Sequence, residues 1–74
     1  MTERRLTAVI QREGRLFVAQ CPEVDVASQG ESVEEARSNL IEALELFFET
    51  AAPEEIASRL HEESFITTVQ VAVG

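Results

Sequence analysis

Cys21 and His61 are the single thiol and the single imidazole of the chain, and such a pair can supply a nucleophile and its base. Their surroundings argue against it. Cys21 stands beside Pro22 at the end of a strand-like run, His61 closes a short polar segment, and no third residue is placed to orient the imidazole. The expected roles are a half-buried thiol acting as a small hydrophobe and a solvated histidine near a helix C-terminus. A nuclease site of the ribonuclease-H type would need several carboxylates converging on two metal ions, one of them from the middle of the first strand. That strand, Arg5 to Arg12, has no acid, and Glu23 and Asp25 lack converging partners. No catalytic residue, metal-ligand set or cofactor is therefore assigned, and the chain is read as a non-enzyme.

The remaining candidates are acids that could meet a basic partner. Glu35, Glu42, Glu45 and Glu49 recur at helical spacing, where like charges cost about 0.2–0.5 kcal/mol per pair. A solvated face that keeps the protein soluble is the plain explanation. The functional one assigns Glu42, Glu45 and Glu49, with Glu23 and Asp25 at the Pro22 corner, to a partner surface. Asp25 has a second explanation, as an edge charge that discourages strand pairing. Leu46 is the one large apolar residue on the polar side of this stripe and is the candidate contact for oligomerisation.

Seventy-four residues with one cysteine and a net charge of −8 bound the possibilities. A single domain spanning residues 1–74 is expected. A chain this short buries only about 60% of its unfolded surface. It has neither a disulfide nor a metal to staple it, so self-association is the expected remedy. Thr2-Glu3-Arg4-Arg5 leads directly into a strand pattern, so no signal peptide is expected. No apolar run approaches the length of a membrane span, and a lone free thiol fits a cytoplasmic location. The charge disfavours a general nucleic-acid surface. The basic residues are six arginines. Arg4, Arg5, Arg12 and Arg15 fall in the first two strands, which leaves open whether they touch RNA.

Periodicity supplies the elements that would position these groups. Arg5 to Arg12 alternates with a period of two, Glu13-Gly14 marks a hairpin, and Arg15 to Gln20 returns. Cys21-Pro22-Glu23 breaks the ladder, because proline has no amide to donate. Val24 to Gln29 alternates again and Gly30 closes it. Ser32 as N-cap, with Glu35 reaching back in a capping box, starts a helix over Val33 to Thr50. Pro53 ends that helix and starts a short second one. Phe65 to Val73 alternates β-branched and aromatic residues and predicts a final strand. The order β-β-β-α-(short α)-β predicts an α+β fold. A right-handed crossover would lay the last strand beside the first, giving a four-stranded mixed sheet of order 3-2-1-4 with the main helix on one face.

The block from Phe17 to Leu46 resembles the HicB-like antitoxin family in its short stand-alone form. The resemblance rests on Phe17-Val18-Ala19, Cys21-Pro22-Glu23-Val24-Asp25-Val26, Ala27-Ser28-Gln29-Gly30, Ser32-Val33-Glu34-Glu35-Ala36, Asn39-Leu40 and Glu42-Ala43-Leu44-Glu45-Leu46. Many relatives carry Pro-Gly where this chain has Asp25-Val26, which marks a subgroup. The resemblance implies a partial ribonuclease-H-like or double-stranded-RNA-binding-like sheet. It also implies a protein that binds and masks a small basic RNA-cleaving toxin. Larger members add a C-terminal DNA-binding segment. No such pattern follows the last strand here, so DNA binding by this chain alone is not expected. The competing reading is an orphan homo-oligomeric scaffold or small regulator with no toxin partner.

Overall fold

The computed structural model describes residues 4–60 and 65–74; His61 lies outside the described residues. The elements are β1 (Val9–Glu13), β2 (Leu16–Cys21), β3 (Val26–Gly30), α1 (Val33–Thr50) and α2 (Pro53–Arg59). The sheet is antiparallel, in order β1-β2-β3. Gly14 opens the two-residue β1–β2 turn with φ +64°, a conformation glycine takes at no steric cost.

The ladder stops where its chemistry requires. Val9 pairs with Gln20 and Cys21 pairs with Val26. Beyond Cys21 the proline ends β2, so in this register Thr7 and the residues before it face no strand, and β1 starts later than the expected Arg5. Likewise β3 begins at Val26 rather than Val24, because Asp25 has φ +56° and turns the chain.

α1 has the expected bounds. The Ser32 hydroxyl accepts from the Glu35 amide at 3.0 Å, while the Glu35 carboxylate accepts from the Glu31 amide at 2.7 Å, one residue before the expected cap amide. Ala36 and Leu40 of α1 join Ala19, Cys21 and Val24 as the fully buried core, with Ile10, Phe17, Val26, Leu44, Phe47 and Phe48 packed round it. The helix crosses β3 very closely. A Cβ on Gly30 would lie 2.5 Å from the Ala36 amide nitrogen and 2.8 Å from the Glu35 carbonyl carbon, so only glycine fits. Pro53 opens α2 as expected.

The fourth strand is not formed. The sheet has three strands, which overturns the four-stranded mixed sheet of order 3-2-1-4 and the fold drawn with it. Residues 65–74 lie outside the ladder, with Phe65 87% and Val73 88% exposed. Alternation shows that a segment has two faces, but a strand also requires an edge to pair with. Among the described residues no helix is long and apolar enough to cross a membrane.

Gly30→Ala should cost about 3 kcal/mol, the upper range for overpacking, because the clash is with backbone. Gly14→Ala should cost about 1 kcal/mol for its left-handed conformation alone, since nothing lies within 4 Å of the added Cβ. Urea denaturation midpoints of the two variants check this ranking.

Candidate partner-binding site

The corner Cys21–Asp25 is held from both ends of the chain. From the N-terminal side, the Thr7 amide donates to both Glu23 carboxylate oxygens, at 3.1 and 3.0 Å, and the Thr7 hydroxyl donates to Oε2 at 2.7 Å. The Cys21 thiol lies 3.4 Å from Oε1 and donates to it. From the C-terminal side, Arg59 donates through Nε to the Val24 carbonyl at 3.1 Å and through Nη2 to the Asp25 carbonyl at 2.7 Å. Its guanidinium also stacks 4.9 Å from the Phe47 ring centroid and pairs with Glu55 at 3.7 Å. α2 is thereby tied to the β2–β3 turn.

Burial opposes the charged form of Glu23. The hydrogen bonds from the Thr7 hydroxyl, from its own amide and the Thr7 amide, and from Cys21 outweigh that cost and hold the carboxyl below its ordinary value. Burial, with the neighbouring carboxylate, pushes the Cys21 thiol up, against the opposing pull of the Val24 and Glu23 amides. Cys21 is fully buried and keeps its proton at neutral pH, the opposite of what a nucleophilic thiol requires.

The sequence-assigned partner residues therefore separate into two groups. Glu23 is half-buried and bound within the fold, and Asp25 is exposed at the left-handed turn. Glu42, Glu45 and Glu49 share the outward face of α1 with Glu34, and all are exposed. Among the described residues none of these four forms an ion pair; the pair found is Arg59–Glu55. Leu46, 59% exposed, lies beside these acids, and Ile41, 40% exposed, flanks the same face. Of the arginines, Arg4 covers the Phe48 ring and Arg12 the Phe17 ring, at 5.3 and 4.9 Å from the centroids. Arg5 and Arg15 are exposed. No group of three or more histidine, cysteine or acidic side chains among the described residues could hold a metal ion.

Thr7, Arg59 and Asn39, whose side-chain amide donates to the Gln29 carbonyl at 2.8 Å, carried no local signal. Their partners are distant in the chain, and each reads in sequence as an ordinary polar residue. No protein-family model, curated protein or solved structure matches this chain.

Glu23→Gln should cost about 2 kcal/mol at neutral pH, within the range for hydrogen bonds to a charged group. The sign follows from linkage. A depressed carboxyl pKa stabilises the fold above the ordinary value of 4.5, and that contribution is lost as pH falls through the lower folded value. The wild-type and variant denaturation midpoints, measured from pH 7 downward, should therefore converge in acid. A constant gap at every pH would show that the carboxylate charge is not the source.

Proposed function

We propose that the chain is an antitoxin-like protein of the cytoplasm that binds and masks a small basic RNA-cleaving protein. The observation that carries this reading is the outward face of α1, where Glu34, Glu42, Glu45 and Glu49 are exposed and unpaired among the described residues. Such a face has the charge sign of RNA and complements a surface built to bind it. Leu46 and Ile41 supply apolar anchors at its margins, which a purely repulsive solvated face would not need. Glu23 takes no direct part, since its carboxylate is bound to Thr7 and Cys21. The resemblance of Phe17–Leu46 to HicB-like antitoxins supports the same reading.

The test is affinity purification of the tagged chain from its native host at low salt, with mass spectrometry of stoichiometric partners. A small Lys/Arg-rich protein should co-purify, cleave RNA alone, and fall silent when this chain is added. Glu42→Lys combined with Glu45→Lys should weaken the complex about tenfold or more, equivalent to about 1.4 kcal/mol, with a shallower salt dependence. Binding that survived the charge reversal would remove α1 as the contact. Recovery of this chain alone would remove masking as its role.

A further inference from the structure

Two features of the molecule are each incomplete, and each supplies what the other lacks. The first is the C-terminal segment. Phe65, Thr67, Val69, Val71 and Val73 alternate with Ile66, Thr68, Gln70 and Ala72, and every residue from 65 to 74 is exposed. Val69 is 80% and Val71 72% exposed. An alternating apolar segment of this kind is a strand in want of a ladder.

The second is a sheet edge. The β3 edge is open as well, but side chains already bind beside it: Asn39 donates to the Gln29 carbonyl, and Arg59 donates to the Val24 and Asp25 carbonyls just before the strand. The β1 side is different. Val9–Glu13 pairs with β2, and no described element is hydrogen-bonded along its other edge. Open edges of this kind are templates for an added strand.

Within one copy the two do not meet. The radius of gyration is 14.3 Å and the longest extent 48 Å, whereas a compact chain of this length has a radius near 11 Å. The segment extends away from its own core. A second copy satisfies both needs at once, because a two-fold exchange offers two segments and two edges. Charge selects the same route. Two chains of net charge −8 repel through α1, but residues 65–74 carry no charged side chain, and Arg12 and Glu13 balance one another on β1.

We propose that two copies of this chain form a dimer by reciprocal strand exchange, residues 65–73 of each lying along the β1 edge, Val9–Glu13, of the other. Main-chain hydrogen bonds give the affinity, and the alternating apolar side chains set the register. The proposal is independent of toxin masking and uses a different face of the molecule.

The test combines sedimentation equilibrium of the full chain with amide hydrogen exchange. The expected result is a dimer in which both Val9–Glu13 and residues 65–73 exchange slowly. Val69→Asp combined with Val71→Asp should raise the dimer dissociation constant at least 100-fold, accelerate exchange in both segments and leave the far-UV helix signal intact. A synthetic peptide of residues 65–74 should likewise convert the wild-type dimer to a peptide-bound monomer, and this arm decides the matter if the double variant loses its helix signal. A monomer at all concentrations would overturn the proposal, whether or not its C-terminal segment is protected. A dimer indifferent to both the substitutions and the peptide would overturn it equally, by placing self-association on another surface.

Discussion

The Glu23 carboxylate, gathering the Thr7 amide and hydroxyl and the Cys21 thiol at 2.7–3.4 Å, is the contact on which the arrangement of the sheet depends. Pro22 ends the β2 ladder and would leave the chain before β1 without partners. Glu23 restores them, replacing a strand pairing with a charged hydrogen-bonded clasp. One residue further on, the Val24 side chain is buried in the core while its carbonyl receives Arg59. The corner thus couples the N-terminal segment, the core and α2 within a few residues. Each connection closes a long loop, whose entropy grows only slowly with length, so a few charge-assisted bonds can hold it.

The size of the core explains why such contacts matter. Among the described residues the buried hydrophobic side chains are Ala19, Cys21, Val24, Ala36 and Leu40, and the largest of them is Leu40. Domains of this length are marginal, so a contribution of about 1–2 kcal/mol is a large part of the total. Gly30 belongs to the same economy of space. By admitting the α1 backbone to within contact of β3, it brings the small residues Ala36 and Ala19 into the buried core. Phe47 and Phe48, edge to face at 5.2 Å, extend the apolar layer beyond that contact, and Arg59 and Arg4 cap their outer faces.

What could be read from the residues was whatever is encoded locally. Ser32, Glu35 and Pro53 specify both ends of α1 through contacts within a turn, and the helical spacing of Glu42, Glu45 and Glu49 places them on one exposed face. Pro22 reads in sequence as a break in its own strand, and in the structure the end of β2 also limits the neighbouring β1. Thr7 and Arg59 were illegible because the groups they bind lie 16 and about 35 positions away. The four-stranded sheet failed for a related reason. The alternation of Phe65 to Val73 predicts a strand, but no residue of the segment pairs and all are exposed; pairing belongs to an edge elsewhere in the molecule, and no periodicity reports whether that edge is within reach.

The division of charge over the surface follows from the same architecture. Ile10, Phe17, Ala19, Cys21 and Val26 point toward α1 and into the core or against it. Their neighbours in the ladder, Val9, Gln11, Leu16, Val18, Gln20, Ala27 and Gln29, must point to the opposite side of the sheet. That side is uncharged apart from Glu13 at its margin, while the outward face of α1 is strongly acidic. Exposed charges act over about 10 Å at moderate salt, so a second copy approaching α1 meets a repulsion that the open sheet face does not add. A basic protein experiences the reverse preference. The surface is thereby divided between a strongly acidic helix face and a nearly uncharged sheet face. Both arise from one constraint: a short chain that covers a single side of its sheet with a single helix.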